Sequence, residues 1–248
     1  MRLADKIALV TGAAAGFGAG IARRYAAEGA KVVCADLNLA GAEAIAREIG
    51  GVAVGGDVSC GPDVAAMVAR AVEAFGGLDI LVNNAGTTHR NQPMLDVTEA
   101  EFDRIYAVNV KSLYWTAQHA VPLLRRQGRG GVIINIASTA GIRPRPGLTW
   151  YNGTKGAVNI ITLSMAQELG RDRIRVNAIC PVMGETALLE AFMGLPDTPE
   201  NRAKFLGTIP LGRMSTPADV ANAALFLAED SSNFLTGVLL PVDGGRTA

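Results

Sequence analysis

The chain has 248 residues, of which 49% are apolar and 19% charged, a balance that favours a buried core and excludes disorder. Lys plus Arg (23) equal Asp plus Glu (23), so the chain lacks the basic field that would hold nucleic acid or an anionic membrane. No apolar run approaches membrane-spanning length, the first residues leave no room for a signal-peptide core, and Cys34, Cys60, Cys180, His89 and His119 are too scattered for a disulfide framework or a metal site. The expectation is one cytoplasmic domain over residues 1–248, with three buried thiols and no metal.

The first predicted strand, Lys6–Val10, runs into Thr11-Gly12-Ala13-Ala14-Ala15-Gly16-Phe17-Gly18, and a predicted helix, Gly18–Glu28, begins where the glycines end. Glycine opens the backbone angles that a tight strand-to-helix turn needs. Without side chains there, amide hydrogens and the positive helix end can approach a pyrophosphate. The second predicted strand, Lys31–Ala35, is followed by Asp36, eighteen residues after Gly18, near the spacing at which a carboxylate accepts hydrogen bonds from adenosine ribose hydroxyls. Such a carboxylate repels a 2′-phosphate, and Ala13, Ala14, Ala15 and Leu37 offer no cation in compensation, so NAD(H) is expected over NADP(H). The other role open to Asp36 is to cap the next helix.

Short β-branched runs and Ala-rich helical stretches continue to alternate, as in repeated βαβ units around a parallel sheet. A helix is predicted over Ala40–Ile49, a strand over Val52–Val54, a helix over Asp63–Phe75 and a strand over Ile80–Asn83. There follow one long helix, Glu101–Arg126, a strand, Val132–Ala137, a helix, Tyr151–Leu169, and a strand, Arg175–Ile179. The segment 186–213, with Gly194, Pro196, Pro199, Gly207 and Pro210, breaks the alternation and reads as an inserted lid. Helix Pro217–Ala228 and strand Val238–Pro241 complete the chain.

With three residues between its first two glycines, the loop resembles that of the short-chain dehydrogenase/reductase family. Asn83-Asn84-Ala85-Gly86, Asn109, Ser138 and Tyr151-x-x-x-Lys155 match that family's further motifs in order, and the likeness runs from Lys6 to Gly245. The resemblance implies a three-layer αβα Rossmann fold with a doubly wound, seven-stranded parallel sheet, and a homotetramer paired through the two long helices. It implies adenine beside Asp57-Val58 and a nicotinamide ribose near Asn84, Ala85, Gly86, Tyr151 and Lys155. It gives Lys155 the ribose hydroxyls and Asn109 a water that returns protons to the lysine. Pro181 and Thr186 match a further cofactor motif, but Val182 stands where glycine is usual, with Gly184 two residues on. Asn152-Gly153-Thr154 likewise departs from the common Ala and Ser at its last two positions.

Oxidising an alcohol needs a base for the hydroxyl proton, and a free phenol, at about 10, is too weak an acid to serve. Lys155 lies one helical turn from Tyr151, where its charge favours the phenolate. Ser138, just past an apolar strand, would orient the substrate oxygen. The expected activity is NAD(H)-dependent interconversion of a small-molecule secondary alcohol and ketone, with Tyr151 as the acid/base. Reduction of a 3-oxoacyl thioester, sugar or polyol oxidation, and a non-catalytic dinucleotide sensor stay open. The apolar stripe Leu188, Leu189, Phe192 and Met193 either walls a substrate pocket or packs on the core. Arg143 and Arg145 either meet a substrate carboxylate or phosphate or are solvated.

Overall fold

Strands covered by helices on both faces need apolar residues at every position, and that is how the central runs of this chain read. The computed structural model describes residues 1–185 and 188–248. Its strands are β1 (Ile7–Thr11), β2 (Lys31–Asp36), β3 (Val52–Gly55), β4 (Ile80–Asn83), β5 (Gly131–Ile136), β6 (Ile174–Pro181) and β7 (Leu239–Val242), all parallel in the order β3-β2-β1-β4-β5-β6-β7. Along β1, Ala8 and Val10 enter one core while Ile7 and Leu9 enter the other. This period of two makes the fold three layers deep.

Helices α1 (Gly16–Ala27) and α2 (Leu39–Ile49) lie on the first face and α3 (Gly61–Phe75) on the second. Asn38 accepts from the Gly41 amide to cap α2, and Gly50, at φ 66°, ends it in a left-handed turn. Asp36 therefore does not cap that helix.

The single long helix predicted over Glu101–Arg126 is broken. It comprises α4 (Glu99–Tyr106), a wide π-helical turn (Ala107–Lys111) and α5 (Ser112–Gln127). Thr98 and Glu101 form a capping box that starts α4 before the predicted boundary. The wide turn inserts a residue into the helical register at Asn109, a device that often marks a functional position.

Beyond β5 come α6 (Thr149–Leu169), the short α7 (Leu189–Met193) and α8 (Pro199–Leu206) of the predicted lid, and α9 (Pro217–Ala228). Thr216 and Asp219 box the start of α9, with Pro217 in its first turn as predicted. The buried Tyr25 hydroxyl donates to the Ala224 carbonyl at 3.0 Å and ties α1 to α9. Cys34 and Cys180 are buried as expected, whereas Cys60 is only half-buried, because it sits at the solvent-facing start of α3.

Candidate active site

A cleft of about 630 Å³ opens at the carboxyl ends of β1, β2, β4, β5 and β6, across the point where strand order reverses between β1 and β4. Open α/β sheets bind ligands at such a crevice. Gly12 (φ 65°) and Gly16 (φ 55°) take left-handed angles there. A Cβ on Gly12 would press on the Asn84 amide at 2.8 Å, and one on Gly18 would collide with the Gly12 carbonyl. The floor of this cradle is therefore bare backbone at the start of a helix.

Hydrogen bonds hold the cradle in place. The Thr11 hydroxyl accepts from the Asn84 and Ala85 amides at 3.0 and 3.1 Å, and Asn84 Nδ2 donates to the Thr11 and Gly12 carbonyls. Asp36 accepts from Ala14 N at 2.9 Å and Asn38 N at 2.8 Å, so its carboxylate is fixed beside the loop. Leu37 next to it is 76% exposed and lines the cleft, an open apolar wall suited to an aromatic ring. Asp57 is held by the Ser59 amide and hydroxyl, and with Val58 it lines the same end. Phe17, Gly86, Pro181, Val182 and Gly184 also line the cleft, while Thr186 lies outside the described residues.

Tyr151, Lys155 and Ser138 meet on the opposite wall. Tyr151 and Lys155 both lie in the first turns of α6, on the face turned inward, and are almost fully buried. Burial pushes the Tyr151 phenol up to about 12, while a hydrogen bond from Ser138 and the charge of Arg145 pull it down. Burial lowers the Lys155 ammonium to about 8, and its Nζ donates to the Ile136 carbonyl at 2.8 Å. That Nζ stands 5.8 Å from the centre of the Tyr151 ring. The helical spacing thus brings the pair together, but within the protein alone the groups that oppose burial at Tyr151 are Ser138 and Arg145.

Asn109 is buried and receives the Thr87 amide on Oδ1 at 2.8 Å. Its Nδ2 donates to the Thr87 carbonyl at 2.8 Å and the Thr154 hydroxyl at 3.0 Å. Both amide hydrogens are thereby used within the protein, while Oδ1 accepts one bond and keeps one lone pair. The side chain locks the Thr87 loop after β4 to α6, and a water could reach it only by donating to Oδ1.

The departures from the family pattern have local reasons. Val182 avoids positive φ altogether, so its Cβ causes no strain, and Gly184 restores no lost freedom. A Cβ on Gly184 would instead run into the Phe17 ring. A Cβ on Gly153 would sit 3.0 Å from the Tyr106 hydroxyl, and Thr154 keeps the hydroxyl that Asn109 uses.

Sequence reasoning missed a buried amide chain behind the site. Asn83 Nδ2 donates to Asn135 Oδ1 at 2.8 Å, Asn135 Nδ2 donates to the Thr162 hydroxyl at 2.9 Å, and Thr162 donates to the Val158 carbonyl at 2.8 Å. The only clue was a polar residue inside the apolar run of β5. The predicted lid stripe divides: Leu189 and Met193 pack on Met214 in a small core, whereas Leu188 and Phe192 line the cleft, Phe192 edge-on to Tyr151 at 5.0 Å.

The family model described as Enoyl-(Acyl carrier protein) reductase matches residues 12–247. Among curated proteins, the chain is 55% identical to 4-formylbenzenesulfonate dehydrogenase of Comamonas testosteroni, over 99% of each chain. It is 36% identical to a 3-oxoacyl-[acyl-carrier-protein] reductase of Thermotoga maritima, again over 99% of each. Among solved structures, a 3-ketoacyl-(acyl-carrier-protein) reductase from Brucella melitensis complexed with NADH superposes with a TM-score of 0.94 at 47% identity, covering 99% of this chain and 100% of that one.

Proposed function

The chain belongs to the short-chain dehydrogenase/reductase family of oxidoreductases acting on CH–OH and C=O groups, and from that premise we propose that Tyr151 is the acid/base for NAD(H)-linked interconversion of a secondary alcohol and a ketone. The observation that carries the reading is the meeting of Tyr151, Ser138 and Lys155 on one wall of a cleft whose facing wall is a bare glycine cradle.

The cradle amides of Gly12–Gly18 would hold the pyrophosphate, Asp36 the adenosine ribose, Leu37, Asp57 and Val58 the adenine, and Lys155 the nicotinamide ribose. Asn84, Ala85, Gly86, Pro181, Val182, Gly184 and Thr186 complete the proposed cofactor wall. When bound, the dinucleotide supplies the acceptor or donor of the hydride. The Ser138 hydroxyl donates to the substrate oxygen and fixes its direction toward Tyr151. In oxidation, Tyr151 takes the hydroxyl proton as the carbon gives up its hydride; in reduction, it returns a proton to the oxygen. Asn109 acts as a positioning residue that joins α6, through Thr154, to Thr87 in the loop after β4. Asp36 favours NAD(H) over NADP(H), since no described cation stands beside it to receive a 2′-phosphate.

Residues 186–213 serve as a substrate lid, with Phe192 closing over Tyr151. Tyr114 on α5 and Ile160 on α6, both exposed, support pairing of copies through those helices into a homotetramer. No described helix is long and apolar enough to cross a membrane, which with three free thiols supports a cytoplasmic location.

The 55% identity to a formylbenzenesulfonate dehydrogenase favours a second reading, oxidation of an aromatic aldehyde. The hydrate of an aldehyde presents the same H–C–O–H unit, and loss of one hydride and one proton from it yields the carboxylic acid. The test is to follow nicotinamide absorbance with ketones, secondary alcohols, aldehydes, polyols and acyl thioesters. Turnover of ketones or aldehydes is expected. Tight NADH binding with no turnover of any class would favour a dinucleotide sensor.

A further inference from the structure

Three arginines, Arg143, Arg145 and Arg246, line the substrate end of the cleft, and none has a carboxylate partner among the described residues. Their placement is built. Arg143 donates to the Arg246 carbonyl at 2.9 Å, stitching the loop after β5 to the segment after β7. That segment is fixed by the buried Asp243, which accepts from Gly245 N at 2.9 Å, Thr247 N at 2.8 Å and the Thr247 hydroxyl at 2.6 Å. The Arg145 backbone is held by Asn152, one residue past Tyr151, at 2.9 Å. The Arg145 guanidinium lies over the Phe205 ring at 5.2 Å and makes no described hydrogen bond through its nitrogens.

A guanidinium over an aromatic face keeps the N–H donors of its own plane available, the fork that receives a planar or tetrahedral oxyanion at two points. Placing like charges together in a partly buried cleft is unfavourable without a counter-ion. Burial and the neighbouring Arg246 both disfavour the charge of Arg145. Leu188, Phe192 and Ile209 add apolar walls to the same cleft, with Phe192 edge-on to Tyr151.

We propose that Arg143, Arg145 and Arg246 form a subsite for an oxyanion, a carboxylate or sulfonate, carried by the substrate at the end away from its reacting carbon. This deepens the proposed function and rests on it for the orientation of the substrate. An apolar body then spans the aliphatic and aromatic walls, its anion held by arginine and its C–O unit beside Tyr151 and Ser138. The charge of Arg145, which also favours the Tyr151 phenolate, is met by the substrate anion in the loaded site.

The test measures binding apart from turnover. Para-toluenesulfonate and para-toluate are titrated calorimetrically into the protein saturated with NADH, with uncharged para-xylene derivatives as controls. Both anions are expected to bind more tightly than the neutral ligands. Arg145→Met and Arg246→Met should each weaken the anions by about ten- to a hundredfold, the worth of a charge-assisted hydrogen-bonded contact, with Arg145→Lys in between. Retained NADH affinity reports an intact fold, and Arg246→Met stands alone if Arg145→Met does not fold. In parallel, the kcat/KM ratio of para-carboxy to para-methyl phenylethanols should fall in both variants. Equal affinity for anion and neutral ligand in the wild type, or unchanged anion affinity in the folded variants, overturns the subsite. Absence of turnover with every phenylethanol, acetophenone and benzaldehyde, while the anions still bind through the arginines, overturns the proposed role of Tyr151 in this cleft and upholds the subsite.

Discussion

Replacing Asn135 by leucine keeps its branched shape, with slightly bulkier ends, and removes both of its amide contacts, at a position with no solvent exposure. Asn83 Nδ2 then loses its acceptor, and the Thr162 hydroxyl loses a donor while keeping its own bond to Val158. The two lost bonds contribute about 1 kcal/mol each, and the half-buried Asn83 amide left without its acceptor adds up to about 1 kcal/mol, while the added apolar surface of leucine offsets part of this. A net loss of about 2 kcal/mol is expected, a fall in Tm of roughly 4–8 °C for a chain of this size. The same chain of amides ties β4 and β5 to α6, so it sets how Ser138 stands relative to Tyr151. The kcat of Asn135→Leu should therefore fall more than its KM rises. The assay pairs a thermal melt with initial rates at saturating NAD. A Tm within about a degree of wild type would refute the reasoning, since it would mean the amides contribute no net stability.

Asp36→Ala should narrow the NAD-over-NADP preference, measured as the ratio of kcat/KM for the two cofactors; an unchanged ratio would show that the carboxylate does not read the ribose. The buried Lys155 bears on stability through its lowered folded value of about 8 against 10.5 when unfolded. In the range between these values the unfolded chain binds the extra proton, so stability rises with pH. Wild type should accordingly gain on Lys155→Met in denaturant midpoint from about pH 7 to about pH 9.5, and a constant difference would contradict the burial of the ammonium. Tyr151, raised by burial, acts in the opposite sense above its ordinary value near 10, because there the folded state keeps a proton that the unfolded chain loses.

Much of this was legible in the chain because short-range pattern and long-range packing agree. The apolar runs could only be strands covered on both faces, and the glycine loop, Asp36 and the Tyr151–Lys155 spacing each state a local geometry that the fold uses directly. What stayed hidden depends on partners distant in sequence. Asn135 reads as an interruption of β5 until Asn83 and Thr162 are seen on either side of it. The wide turn at Asn109 leaves the helical composition on both sides unchanged, so periodicity alone extends one helix through it. Arg246 joins Arg143 across 103 positions, through a turn whose Asp243 bonds are all local to the last residues. The Gly153 departure became intelligible only with the Tyr106 hydroxyl beside it.

The central claim is that the Tyr151 phenol transfers the proton in a site that binds the dinucleotide by other means. Tyr151→Phe measures it most directly, by NADH fluorescence titration and by turnover of a ketone on the same preparation. The expected result is an NADH affinity within a few-fold of wild type and a kcat lower by about two to four orders of magnitude, the range for a lost general acid/base. Near-normal turnover in the phenylalanine variant would contradict it.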